Sequence, residues 1–487
     1  MMGRDLKGRV ALHFLAVLAF VPWAQAGDKA ARIDELLRAY HAYDLFNGSV
    51  LVAEGEEVLY KRGIGWANRE WRIENDPSTR FRLGSITKQF TAALILQLVE
   101  EGKLKLDGKI SDYLPRYRKD IGQGVIIHHL LTHTSGIPSY TGRPDFMKET
   151  SRDPFGVEEF VEKYCSDDLE FEPGSRFRYN NSGYFLLGAI MEKLTGRPYE
   201  QALRERILDP LEMKNTGYDH PQTILEKRAA GYERTLDGWR NAPYLDMSIP
   251  YAAGSLYSTV EDLFLWDQSL YWDPVLSDSS RQRMFTPFLS NYAYGWRVEQ
   301  WPIAEGSEQV TVIGHGGGIN GFNTLILRLA GDGRTGTIVL LNNTGPAPLS
   351  EISRQILRIL YDKPFELPKK PLAELLYQEY KSGGVNGALG RYGELKTTAP
   401  DTYRFQDSEL DRLGRHLKEK GRLEEALRLF ERNAAEFPES ALVYDSLGAA
   451  YLEAGNKELA IKNYEKTLEL EPGNPNAAQA LRKLRLP

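Results

Sequence analysis

Ser85-Ile86-Thr87-Lys88 sets a hydroxyl and an amine three residues apart, directly after Gly84. On a helix that spacing puts both side chains on one face, one turn apart. The stretch from Ser85 to Glu101 reads as a helix that stops at Gly102, and Phe90, Ala93, Leu94, Ile95, Leu96, Leu98 and Val99 make it apolar nearly all round. A helix of that pattern is buried. A lysine at its end loses solvation, its pKa falls, and the neutral amine can then take the serine proton. The helix N-terminus adds free N–H groups for an oxyanion. Alone, the tetrapeptide also fits an N-cap serine beside a surface lysine.

Two further segments carry suitable groups. Tyr179-Asn180-Asn181 spaces a tyrosine and an asparagine so that both can face one cavity. A tyrosinate beside a lysine can act as base and then as acid, and the asparagine can hold a substrate amide or the lysine. His315-Gly316-Gly317-Gly318 follows the extended run Val310 to Gly314. Glycines at a strand end let a substrate backbone approach closely, although taken alone this segment reads better as a glycine-rich hairpin turn. Cys165, the one cysteine, sits among acidic residues, with no basic cluster to activate it. His128, His129 and His133 crowd together without a carboxylate to complete a zinc site, so no metal and no cofactor is expected.

The elements that must position these residues are mixed. Lys29 to about Tyr43 reads as a helix, and Ser49–Ala53 with Val58–Tyr60 reads as a hairpin turning at 54–57. Strand candidates follow late, at Tyr292–Glu299, Gln309–Ile313, Thr324–Leu329 and Thr337–Leu341, and a helix at Leu349–Leu360 closes the region. Strands at both ends with helices between predict one antiparallel sheet closed by its termini, with a helical insertion on one side. From about Leu372 the pattern becomes continuous helices. Leu410, Leu413, Gly414, Leu417, Ala426, Phe430 and Pro438 recur 34 residues later as Tyr444, Leu447, Gly448, Tyr451, Ala460, Tyr464 and Pro472. That is tetratricopeptide spacing, with clear repeats at 407–440 and 441–474, a divergent one at Leu372–Leu389 and a capping helix at Ala477–Leu484. The repeats either dock on the rest of the chain or offer a protein partner a groove.

The chain has 487 residues, enough for two or three domains, and 61 basic against 67 acidic residues leave a net charge of −6. No basic tract invites nucleic acid. Arg4, Lys7 and Arg9, the apolar run Ala11 to Trp23, and Ala24-Gln25-Ala26 read as an export signal over residues 1–26. No cysteine follows that run to carry a lipid, so no stable membrane anchor is expected after cleavage, and the destination is periplasmic or extracellular.

Taken in order, Ser85-x-x-Lys88, Tyr179-x-Asn181 and His315-x-Gly317 resemble the three motifs of class C β-lactamases, penicillin-binding proteins, D-specific peptidases and related esterases. Phe81-Arg82-Leu83-Gly84, Leu130 to Ile137, Glu172-Pro173-Gly174 and Gly254 to Thr259 resemble the same family. The resemblance implies a β-lactamase/transpeptidase-like α/β fold over residues 27–365, with the site at its junction with an all-helical part, and leaves 366–487 as the repeat domain. It further implies that Ser85 is acylated, that Lys88 and Tyr179 move protons, and that Asn181 positions groups. His315 and Gly317 would line the third wall, and the N–H groups of Ser85 and Gly318 would hold the oxyanion. Histidine at 315 departs from the usual lysine and is mostly neutral at pH 7, so it grips a carboxylate poorly. Glycines at 316 and 317 also remove the hydroxyl usual after that lysine. Ester or D-amino-acid peptide substrates are therefore favoured over β-lactams. A β-lactamase proper and a catalytically silent scaffold working through its repeats are the alternatives. The selecting loops, roughly 141–154 and 223–250, carry no readable code.

Overall fold

The computed structural model describes residues 23–143, 146–271, 275–304, 306, 308–331 and 335–485. The export signal read at 1–26 lies outside the described residues, apart from 23–26, which begin the first helix. In chain order the elements that matter are α1 (Trp23–Ala42), β1 (Gly48–Glu54), β2 (Glu57–Ile64), α2 (Thr87–Glu100), α3 (Asn181–Thr195), α4 (Val260–Ser269), β3 (Arg297–Pro302), β4 (Gln309–Ile319), β5 (Phe322–Ala330), β6 (Gly336–Asn342) and α5 (Leu349–Leu360).

The six strands form one antiparallel sheet in the order β3-β4-β5-β6-β1-β2. The first strand pairs with the last, Val50 opposite Leu340, so the sheet is closed by the two ends of the domain as expected. Every residue of β6 is buried. That follows from layers on both faces, which make an inner strand apolar throughout rather than alternating. Val50, Val52, Ile338 and Leu340 pack with Leu36 and Tyr40 of α1 and Ile352 and Ile356 of α5. Leu51, Ala53, Val339 and Leu341 turn the other way, into a core shared with α2, α3 and α4. In that core Trp266 is fully buried and stacks on Phe90 at 4.4 Å.

Two extents differ from expectation. The strand read from Tyr292 begins only at Arg297, because Ser290, Asn291 and Gly295 hold positive φ and break the extended backbone. The glycines 316–318 are not a hairpin turn. They continue β4, pairing with Leu325, Thr324 and Asn323, and the turn comes later, at Asn320 and Gly321.

Among the described residues six helices follow: α6 (Ala373–Thr398), α7 (Asp407–Glu419), α8 (Leu423–Glu436), α9 (Ala441–Glu453), α10 (Lys457–Leu470) and α11 (Pro475–Arg485). Gly384 is non-helical inside α6, and Arg391 beyond it pairs with Glu379 before it at 3.9 Å, so the chain doubles back there. Gly414 faces Phe430 and Gly448 faces Tyr464, too closely in both places for a Cβ to fit unmoved.

Candidate active site

Ser85 sits in a short 3-10 turn, Gly84–Ile86, that leads straight into α2. No side chain caps α2, so Ser85 is not spent as an N-cap. Gly84 has φ +56, and a Cβ there would lie 2.9 Å from the Gly318 nitrogen. A Cβ at Gly317 would lie 1.9 Å from the Leu83 carbonyl oxygen, which already accepts a 2.7 Å hydrogen bond from Thr324 Oγ1. The glycines of β4 thus let the serine turn press against the strand, main chain to main chain.

Lys88, one turn on, is fully buried. Its Nζ lies 3.0 Å from Ser85 Oγ, 2.9 Å from Asn181 Oδ1 and 2.8 Å from the Ala253 carbonyl oxygen. Burial holds its pKa well below the usual lysine value. None of the three oxygens belongs to a carboxylate, whose charge would favour the ammonium form. Asn181 opens α3, with Asn180 as a true N-cap whose Oδ1 accepts from Gly183 N at 2.9 Å. Asn181 Nδ2 donates to Thr141 Oγ1 at 3.0 Å, and its backbone N–H donates to Ser139 Oγ at 3.1 Å.

Tyr179 places its ring centroid 4.9 Å from Lys88 Nζ. Its Oη is buried with no hydrogen-bond partner among the described residues, and burial raises its pKa, while a facing Ser85 pulls the other way. The resting group is therefore a phenol, not the tyrosinate that a charged lysine would favour. His133 holds this loop. Its carbonyl accepts from Arg178 N at 2.9 Å and its Nδ1 accepts from Asn180 N at 3.1 Å, while its ring packs 4.3 Å from that of Tyr179. His128 instead meets Tyr294 Oη at 2.8 Å and His129 meets Ile126 N, so the three histidines do not converge. Cys165 is buried, and burial pushes its thiol up to about 12.

His315 and Gly317 were both expected to line the third wall, and neither lines the adjoining cleft: Gly317 faces the Leu83 carbonyl, and His315 is held elsewhere. It is buried, and its Nδ1–H donates to the Gly316 carbonyl at 2.6 Å. That fixes the neutral tautomer, so Nε2 accepts from Tyr292 Oη at 2.9 Å. Burial, then the nearby Lys88, hold its pKa down to about 3. Both nitrogens are used, and the ring is absent from the lining of the adjoining cleft.

That cleft, of about 310 Å³, reaches Ser85, Asn181 and Gly318 at its floor. Tyr140, Met147, Leu245, Ile249, Pro250 and Ile319 give it an apolar side, supplied largely by the two loops expected to select substrate. Neither lysine nor arginine lines it among the described residues. The Ala253 carbonyl, Thr141 and Tyr292 were not foreseen. A main-chain oxygen carries no residue-type signal, and a lone threonine or tyrosine carries almost none.

Residues 33–361 match the family model described as Beta-lactamase. A penicillin-binding protein of Bacillus subtilis (strain 168) is 31% identical over 350 residues, covering 67% of this chain and 75% of its own. Esterase EstB of Burkholderia gladioli is 28% identical over 365 residues, covering 66% and 91%. Among solved structures, the D-amino acid amidase of Ochrobactrum anthropi SV3 complexed with L-phenylalanine amide superposes with a TM-score of 0.60 at 26% identity, covering 69% of this chain and 99% of that one. With a cleft-lining serine beside a buried lysine, held between one antiparallel sheet and a helical insertion, these likenesses agree, and the chain belongs to the β-lactamase family as a serine hydrolase.

Proposed function

We propose that this chain is an exported hydrolase that opens ester bonds, or D-amino-acid amide and peptide bonds, through an acyl ester on Ser85. The observation that carries the reading is the set of partners around Lys88 Nζ. A neutral amine has two N–H groups and one lone pair. Asn181 Oδ1 and the Ala253 carbonyl can only accept, so they take the two N–H groups. The lone pair is left for the Ser85 hydroxyl, which is the arrangement a general base needs.

Ser85 Oγ would then attack the substrate carbonyl as its proton passes to Lys88. The N–H groups of Ser85 and Gly318, both at the floor of the cleft, would hold the oxyanion. Tyr179, a phenol at rest, would give its proton to the leaving group and be reloaded from the Lys88 ammonium. Asn181 Nδ2 keeps its second N–H for the acyl side of the substrate. Water would repeat the sequence on the acyl ester, with Lys88 again as base.

An apolar cleft with no lysine or arginine among its described lining favours an uncharged acyl group, each buried CH₂ contributing about 0.8 kcal/mol. The locked, neutral His315 offers a substrate carboxylate nothing. Both points favour esters and D-amino-acid amides over β-lactams, and the esterase and the amidase among the similar proteins support that choice. The C-terminal helices fit tetratricopeptide repeats, supported by the glycine–aromatic contacts at Gly414 and Gly448, and as such they offer surface to a protein partner.

The test is intact mass spectrometry of the protein after a fluorophosphonate probe, beside Ser85→Ala. One adduct mapping to Ser85, lost with ester hydrolysis in a folded Ser85→Ala protein, is the expected result. Undiminished hydrolysis by Ser85→Ala would overturn the reading.

A further inference from the structure

Resting on that reading, we infer that the C-terminal helices shape the acyl cleft through a single hairpin, with Leu236 and Asp237 as positioning residues for substrate selection. The hairpin pairs Tyr232–Thr235 with Gly238–Asn241, and its tip is Leu236 and Asp237. Leu236 is buried, not in the hydrolase core but in the core that Leu372, Leu376 and Tyr377 build in the helical region. Asp237 accepts from Tyr377 Oη at 2.8 Å and pairs with Lys420 at 2.7 Å, so two successive helices grip one carboxylate. Arg234 adds a 3.1 Å ion pair to Glu374 of α6.

The other end of the hairpin is built into the cleft. Ala242 N donates to the Gly231 carbonyl at 2.9 Å, and Tyr232 N donates to the Asn343 carbonyl at 3.0 Å, which ties the root to the end of β6. A Cβ on Gly321, in the turn after β4, would lie 2.6 Å from both the Ala242 Cβ and the Gly231 Cα. Asn320, which lines the cleft, donates through Nδ2 to the Pro243 carbonyl at 2.9 Å. From there the chain runs directly into Leu245, Ile249 and Pro250, the apolar side of the cleft.

A two-stranded hairpin is marginal in water by itself. Its strands here have four residues each, roughly 13 Å from root to tip at about 3.3 Å per residue. With the tip clamped, the ribbon is a short strut whose root has one position. With the tip released, residues 243–250 and Asn320 lose that support. Ser85 on its 3-10 turn, Lys88 on α2 and Asn181 on α3 lie outside 243–250, and of the contacts at Lys88 Nζ only the one to the Ala253 carbonyl comes from the chain just beyond that segment. The helical region therefore acts on selection among acyl groups rather than on the acylation chemistry.

The experiment uses the full chain with Leu236→Asp, which expels the tip, and the milder pair Asp237→Asn and Tyr377→Phe, which loosen it without burying a new charge. Hydrogen exchange is followed at 232–250 beside hydrolysis of p-nitrophenyl acetate, butyrate and octanoate. Expected are faster exchange at 243–250 and a KM for octanoate raised roughly tenfold, with kcat for acetate within about threefold of the parent. Faster exchange confined to 232–241, or a parallel fall for all three esters, would overturn the inference. Absence of a Ser85 adduct in the parent protein would instead strike the proposed function, and the exchange at 243–250 would still decide whether the strut exists.

Discussion

Replacing Lys88 by methionine keeps the length and apolar stem of the side chain and removes only the amine. Nζ contacts three oxygens at 2.8–3.0 Å, and each contact has a separate consequence. Loss of the lone pair at Ser85 removes the base, an effect of about 10²- to 10⁴-fold. That corresponds to about 2.7–5.4 kcal/mol of barrier. Loss of the two donated bonds leaves Asn181 Oδ1 and the Ala253 carbonyl unpaired, at about 1–3 kcal/mol each. An opposing term relieves part of this. Burial lowers the Lys88 pKa in the folded protein, so the unfolded chain binds the extra proton from that lowered value up to the usual lysine value. Over that window the parent's stability rises with pH, and at neutral pH it still carries the cost of deprotonation, which methionine does not.

The expected outcome is a cooperatively folded Lys88→Met protein whose kcat/KM on a p-nitrophenyl ester, and whose rate of fluorophosphonate labelling, fall by at least roughly 10²-fold. Lys88→Arg separates charge from basicity, because a guanidinium stays protonated and cannot take the serine proton. It should be as inactive as the methionine variant. Labelling of Lys88→Met within tenfold of the parent would refute the assignment of Lys88 as base, and an active Lys88→Arg would show that the site needs a positive charge instead.

Further outcomes follow from the same geometry. The parent's kcat/KM should rise with pH as Lys88 loses its proton and reach its plateau below the usual lysine value, since burial lowers that group. Asn181→Asp, setting a carboxylate about 2.9 Å from Nζ, should move this limb to higher pH, and a limb unmoved there would belong to another group. Gly317→Ala forces a Cβ to within 1.9 Å of the Leu83 carbonyl and should cost roughly 10²-fold in kcat/KM, since Leu83 carries Gly84 and Ser85. Gly316→Ala, whose Cβ would meet nothing closer than 3.6 Å, should keep near-parent activity, and equal losses in the two variants would refute the close-approach account.

Much of this was legible. The three-residue spacing of Ser85 and Lys88 and the apolar ring around α2 suffice to place an amine in a buried position beside a hydroxyl. Helix α5 was readable to the residue because its apolar positions recur on one face. The failures share a cause. Glycines carry no strand preference, so the extension of β4 through 316–318 is decided by contact with Leu83 and Gly84, far away in sequence. Tyr292 has a strand former's shape, yet three left-handed residues around it bend it out of the sheet and into the site. At His315 the residue type announces a titratable group, and only the partners on both nitrogens reveal that it does not titrate near neutrality.

Burial is what keeps Lys88 neutral, and His315 bears instead on the charge around Ser85. A lysine in its place would put a second cation near Lys88 and a hand for a substrate carboxylate beside the serine. Here that position holds a neutral ring that is already saturated, and among the described residues no carboxylate hydrogen-bonds Lys88. Burial alone then lowers the amine, with no neighbouring acid to counter it. Fixed charge is scarce around Ser85 among the described residues, and that is the electrostatic ground for proposing uncharged substrates.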